Sequence, residues 1–206
     1  DPARGVFILG FLVFVVGGSL ALFAIRAPLL KAGGLFAPVS REGGIVLNNL
    51  LFSAAAATVL LGTLYPLFID ALGAGKVSVG PPYFNTVFVP LMSPLVVLAG
   101  IAPMLSWKRA DLGGVVDRLK IIAALTALVL VWTVYQQWGN AVFGAFGIAL
   151  SAWLASSVLL DWALRIRLFR ASPLDSMRRA MRIPRAAYGM NFAHFGVALL
   201  VAGVTA

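Results

Sequence analysis

Six apolar runs set the pattern of this chain, at residues 6–25, 45–69, 86–107, 120–137, 141–164 and 188–206, separated by stretches rich in glycine, proline and basic residues. A helix needs about twenty predominantly apolar residues to cross the hydrocarbon core of a bilayer, and each run falls near that length. The pattern predicts an all-α fold: a polytopic transmembrane helical bundle of about six spans, forming a single transmembrane domain over 1–206. No internal repeat and no second, soluble domain interrupts it.

The segments between the runs carry their own signals. Gly73, Gly75, Gly80, Pro81 and Pro82 make 70–85 a turn-rich connection in which no helix is expected. Pro90, Pro94 and Pro103 fall in the third run, which predicts a bent helix whose freed backbone groups are satisfied by its neighbours. Asn48 and Asn49 open the second run, where they either satisfy each other or grip a partner helix. Gln136 to Asn140 form a tight connection between the fourth and fifth runs. Trp107, Trp138 and Trp162 stand near ends of runs, as an interfacial aromatic belt requires. Ser172-Pro173-Leu174-Asp175 reads as an N-cap, a first-turn proline and a first-turn acid. A short helix is predicted to follow, with Leu174, Met177 and Met181 on an apolar side and Arg178, Arg179 and Arg182 turned to headgroups. It is an interfacial amphipathic segment.

Composition narrows the class. At 61% hydrophobic and 11% charged residues, a soluble fold is excluded. There is no cysteine, which removes disulfides, thiolate catalysis, Cys-ligated clusters and a covalent haem-attachment motif from this chain. The net charge of +9 reports membrane orientation rather than a nucleic-acid partner. All the lysines and arginines except Arg4 and Lys76 fall on one side of a six-span bundle, seven of them arginines between 165 and 185. The rule that basic loops stay inside puts that side in the cytoplasm, the N-terminus outside, and the 73–85 loop on the extracytoplasmic face. The chain begins at Asp1 without a methionine and stops within the last apolar run, so it is expected to be part of a longer polypeptide.

Within the sixth run stands His194, the one histidine of the chain. Imidazole can hold a metal or haem iron, or pass a proton, without carrying a permanent charge into lipid. On a helix, Ala187, Asn191, His194, Ala198, Val201 and Thr205 share one stripe. Gly189, Gly196 and Gly203 recur on the opposite side, where they predict close approach of another helix and leave the histidine side as the roomy front. Counting from Arg185, His194 lies about 13 Å into the membrane at 1.5 Å per residue. Two readings stay open from the residues: a structural histidine bonding across the bundle, and an iron ligand.

Several segments read together resemble a known family: Ser40-Arg41-Glu42-Gly43-Gly44 running into Leu47-Asn48-Asn49, then Gly62-Thr63-Leu64-Tyr65-Pro66, the stretch KVSVGPPYFN from Lys76 to Asn85, and NFAHFG from Asn191 to Gly196. Across essentially all 206 residues the chain is similar to CcmF, the haem lyase component of the bacterial multi-protein (system I) cytochrome c maturation pathway. The resemblance implies a multi-pass inner-membrane protein that attaches substrate haem to the thiols of apocytochrome c on the periplasmic side. It implies as partners a haem chaperone and the subunit presenting the apocytochrome's CXXCH motif. It further implies an intramembrane haem b, held by two transmembrane histidines and able to reduce the incoming haem, with His194 at the place of the later one. The second axial ligand, the two periplasmic histidines and the tryptophan-rich signature of that family have no counterpart in this chain. Two other classes remain beside this reading, a secondary transporter or channel and a non-catalytic membrane scaffold. The transporter reading has little to draw on, since the runs hold no acid but Asp161, near a span end beside arginines.

Overall fold

The structure, a computed structural model, describes residues 2–30, 35, 37–105, 112–136, 142–168 and 170–206. It divides into two units, Asp1–Leu35 and Phe36–Ala206. The first unit is helix α1 (Pro2–Arg26), ended by a 3-10 turn at Ala27–Leu29 that contains Pro28. Apolar residues surround α1 on every side, and Phe7 stacks on Phe11 one turn later with ring centroids 6.5 Å apart. A helix apolar all round suits lipid.

The second unit contains α2 (Arg41–Ala71), α3 (Pro81–Ile101), α4 (Leu112–Gln136), α5 (Val142–Ile166), α6 (Pro173–Arg182) and α7 (Arg185–Thr205). Among the described residues there is no strand. Two helices start earlier than the apolar pattern alone suggests. Fully buried Ser40 accepts a hydrogen bond from the Gly43 amide at 3.1 Å, and Glu42 sits in the first turn, so α2 begins at Arg41 instead of 45. Gly43 is required there because the carbonyl of Pro38 occupies the place of a Cβ. Helix α3 begins at Pro81, within the stretch expected to be a loop. A proline in the first helical turn has no N–H to leave unpaired, so Pro81 and Pro82 start a helix where they were expected to break one. Gly73 and Gly75, at φ of 65° and 113°, keep the turn before it.

Among the described residues, five helices are long and apolar enough to cross a membrane, spanning Gly10–Leu29, Arg41–Asp70, Pro81–Met104, Gly144–Ile166 and Arg185–Thr205. The fourth expected span lies in α4, which is not among these five; its first turns carry Asp117, Arg118 and Lys120, with Lys120 paired to Asp117 at 2.9 Å. Trp107, Trp138, Gln137, Gly139 and Asn140 lie outside the described residues, as do Lys31, Lys108 and Arg109. Trp162 is half-buried near the end of α5.

Helix α5 is the centre of the second unit: it packs against α3, α4, α6 and α7. Small residues make this possible. Ala145, Ala149, Ser151 and Ser157 are buried, and Val96 of α3, Leu154 of α5 and Ala198 of α7 meet in the core. The indole of Trp153 donates to the Val97 carbonyl at 3.1 Å, fastening α5 to the proline-containing α3. Gly100 lies under Trp153 and Ser157, where no side chain would fit.

Candidate functional site

The sequence signals place His194 in the middle of an unbroken helix that runs from Arg185. The ring nitrogen Nδ1 lies 2.8 Å from the backbone carbonyl oxygen of Met190, one turn earlier. A carbonyl can only accept, so Nδ1 carries the hydrogen and donates it. The lone pair is then on Nε2. The imidazole is half-buried, between buried Asn191 and buried Ala198 along the same stripe.

That stripe is as expected, but its two faces exchange roles. Ser151 of α5 donates to the Ala198 carbonyl at 2.7 Å, and Thr205 packs over Gly147 of α5. The histidine side is thus the packed seam with α5. Gly189, Gly196 and Gly203 are exposed, with nothing within 4 Å of where their Cβ atoms would be. A glycine every seventh residue is compatible with a packed face and with a bare one. What decides is the neighbour, and α5 brings its own small residues to the other side.

Among the described residues two open grooves stand out, and His194 lines neither. One, of about 450 Å³, is an apolar groove between α2 and α3 bordered by Phe52, Val59, Phe88 and Met92. The other, of about 550 Å³, is bordered by Arg165 at the end of α5 and by Arg178, Arg179 and Arg182 of α6. The expected α6 is present, capped by Ser172, which accepts from the Asp175 amide at 3.2 Å. Grouping Arg165 with the α6 arginines was not foreseen. The signal was the Asp161–Arg165 spacing, which closes an ion pair at 2.6 Å and fixes Arg165 at the foot of α5. With that partner, Asp161 is spoken for as an ion-coupling acid.

Other singled-out polar residues are structural. Asn48 donates to the side chain of Asn49 at 3.5 Å. The Tyr83 hydroxyl donates to the Thr58 carbonyl at 3.2 Å, and its ring covers Gly62, clamping the start of α3 onto α2.

No family model matches the chain. Over 204 residues it is 47% identical to the cytochrome c-type biogenesis protein CycK of Rhizobium meliloti, covering 99% of this chain and 30% of that protein. It is 40% identical over 205 residues to CcmF of Pseudomonas aeruginosa, again covering 99% of this chain and 30% of the relative. A solved structure of the cytochrome c haem lyase CcmF superposes with a TM-score of 0.63 at 28% identity, over 98% of this chain and 29% of that one. The chain is a homologue of the CcmF/CycK proteins. It spans about 30% of the length of the relatives it matches.

Each segment that carries the CcmF resemblance has a place in the fold. Ser40 to Gly44 form the cap and first turn of α2, Gly62 receives the Tyr83 ring, Lys76 to Asn85 run into α3, and Asn191 to Gly196 are the middle of α7.

Proposed function

We propose that this chain is the part of a cytochrome c haem lyase that contributes one axial ligand, His194, to an intramembrane haem b. The observation that carries the reading is the Nδ1 hydrogen bond to the Met190 carbonyl. A backbone carbonyl or carboxylate on the far nitrogen is the usual support of a metal-bound imidazole, because it fixes the tautomer and raises the basicity of the ligating nitrogen. The imidazole is therefore oriented to ligate iron through Nε2. If both ligands are histidines, the second would come from outside this chain, which has a single histidine.

When bound, haem b supplies a one-electron couple able to reduce the haem being delivered. The protein's own groups do the rest. Met190 orients the ring, while buried Asn191 and Ala198 and the Ser151 hydrogen bond hold α7 against rotation. In this reading the protein sits in the bacterial inner membrane with α4 as a sixth crossing, its N-terminus periplasmic and its arginine-rich segments cytoplasmic. The stretch around Gly80 to Phe84 then faces the periplasm. There substrate haem from a haem chaperone is joined to apocytochrome c thiols, whose CXXCH motif a further subunit presents.

Reduced and oxidised spectra of the full-length protein test the ligand. His194→Ala is expected to lose the b-type α band and most of the bound haem. Full haem occupancy with an unchanged Soret and α band would overturn the assignment.

A further inference from the structure

We propose that the arginine-lined cavity at the foot of α5 is a binding site for the phosphate headgroup of an anionic phospholipid. The proposal stands independently of His194. Arg165, Arg178, Arg179 and Arg182 border this space of about 550 Å³ together with Asp175 and Ile183, four guanidinium groups against one carboxylate. Arg165 is held by Asp161 at 2.6 Å, and Arg178 lies 3.8 Å from Asp175. Among the described residues, Arg179 and Arg182 have no partner. The guanidinium group presents a planar fork of donors that matches a phosphate, and it is weakly hydrated enough to work at a membrane surface.

The geometry is set before any ligand arrives. Ser172 caps α6, Ser176 is buried, and the Tyr188 hydroxyl of α7 donates to the Ala180 carbonyl at 3.0 Å, so α6 is fixed at its start, its middle and its end.

A soluble anion would use the arginines alone. The helix offers more than that. Leu174, Met177 and Met181 lie on the adjacent sector of α6 and are 53%, 58% and 73% exposed. A diacyl lipid can set its phosphate among the arginines and its chains along this apolar edge. A bound lipid would thereby clip α6 to the end of α5.

The test is native mass spectrometry of the full-length protein released from nanodiscs of phosphatidylcholine in which roughly one lipid in five is cardiolipin. The wild type is expected to retain cardiolipin over phosphatidylcholine by about tenfold or more, and R179Q/R182Q to lose about tenfold of that retention. R118Q/R170Q removes the same charge outside the cavity and is expected to retain cardiolipin as the wild type does. If R179Q/R182Q does not fold, R179K/R182K keeps the charge without the fork and should show a smaller but measurable loss. Equal losses in the two glutamine variants, no preference in the wild type, or full displacement of the lipid by millimolar inorganic phosphate would each overturn the proposal.

Discussion

Ser151, in the middle of α5, donates a hydrogen bond of 2.7 Å to the backbone carbonyl of Ala198 in α7, one turn beyond His194. Both residues are buried, and the Ala198 carbonyl already belongs to the α7 ladder. The bond therefore ties two helices without taking anything from either. Ser151→Ala is expected to cost about 1 kcal/mol, the scale of interhelical hydrogen bonds in membranes. Thermal unfolding of the full-length protein in mild detergent measures it.

Gly100 and Gly147 predict two costly substitutions. A Cβ on Gly100 would stand 2.6 Å from Nε1 of Trp153 and 2.7 Å from Oγ of Ser157. Trp153 is itself held by the Val97 carbonyl, so it has nowhere to move. A Cβ on Gly147 would overlap the branched side chain of Thr205 in α7, 2.6 Å from its Cβ and 2.8 Å from its Oγ1. Gly100→Ala and Gly147→Ala should each destabilise by about 1–3 kcal/mol. An unchanged midpoint in either variant, read from the same unfolding curves, would mean that its two helices part there without cost.

Helix α5 ends on a residue in an unusual conformation. Arg167 has φ of 55°, with its amide donating to Leu164 and the Leu168 amide to Ala163, the hydrogen-bond pair of a Schellman end in which glycine is the favoured residue. Arg167→Gly is expected to stabilise the protein by up to about 1 kcal/mol, since the left-handed conformation costs glycine nothing. A lowered midpoint would mean that the Arg167 side chain contributes more than its backbone costs.

Much of this architecture was legible from apolar run length, because the bilayer imposes it on each helix separately. The α6 cap at Ser172 was equally readable, since it depends on residues three apart. Helix starts at Ser40 and Pro81 were harder: both lie in polar or proline-rich sequence whose helical role shows only through cap chemistry. The roles of the two α7 faces could not be read at all. Gly189, Gly196 and Gly203 look like a packing seam, but α5 supplies Gly147 and Ser151 to the other face. The periodicity of one helix does not contain its neighbour's side chains. The arginine cavity has the same origin, since Arg165 and Arg182 are brought together by the turn between α5 and α6.

The His194 to Met190 bond predicts two separable effects at one position. Replacing the ring with alanine removes Nε2, and haem b should be lost. Incorporating Nδ1-methylhistidine at 194 keeps Nε2 and its lone pair but removes the hydrogen donated to the Met190 carbonyl. Haem should then still bind, with affinity reduced about 10–100-fold, the usual consequence of losing the partner that orients a metal-bound imidazole. The methyl group also pushes on the carbonyl one turn back, so circular dichroism should be recorded to verify that α7 keeps its helix. Haem titration of the full-length protein gives the affinities. Wild-type affinity in the methylated variant would show that the carbonyl does not orient the ligand, and unchanged haem binding in both variants would remove His194 from the iron altogether.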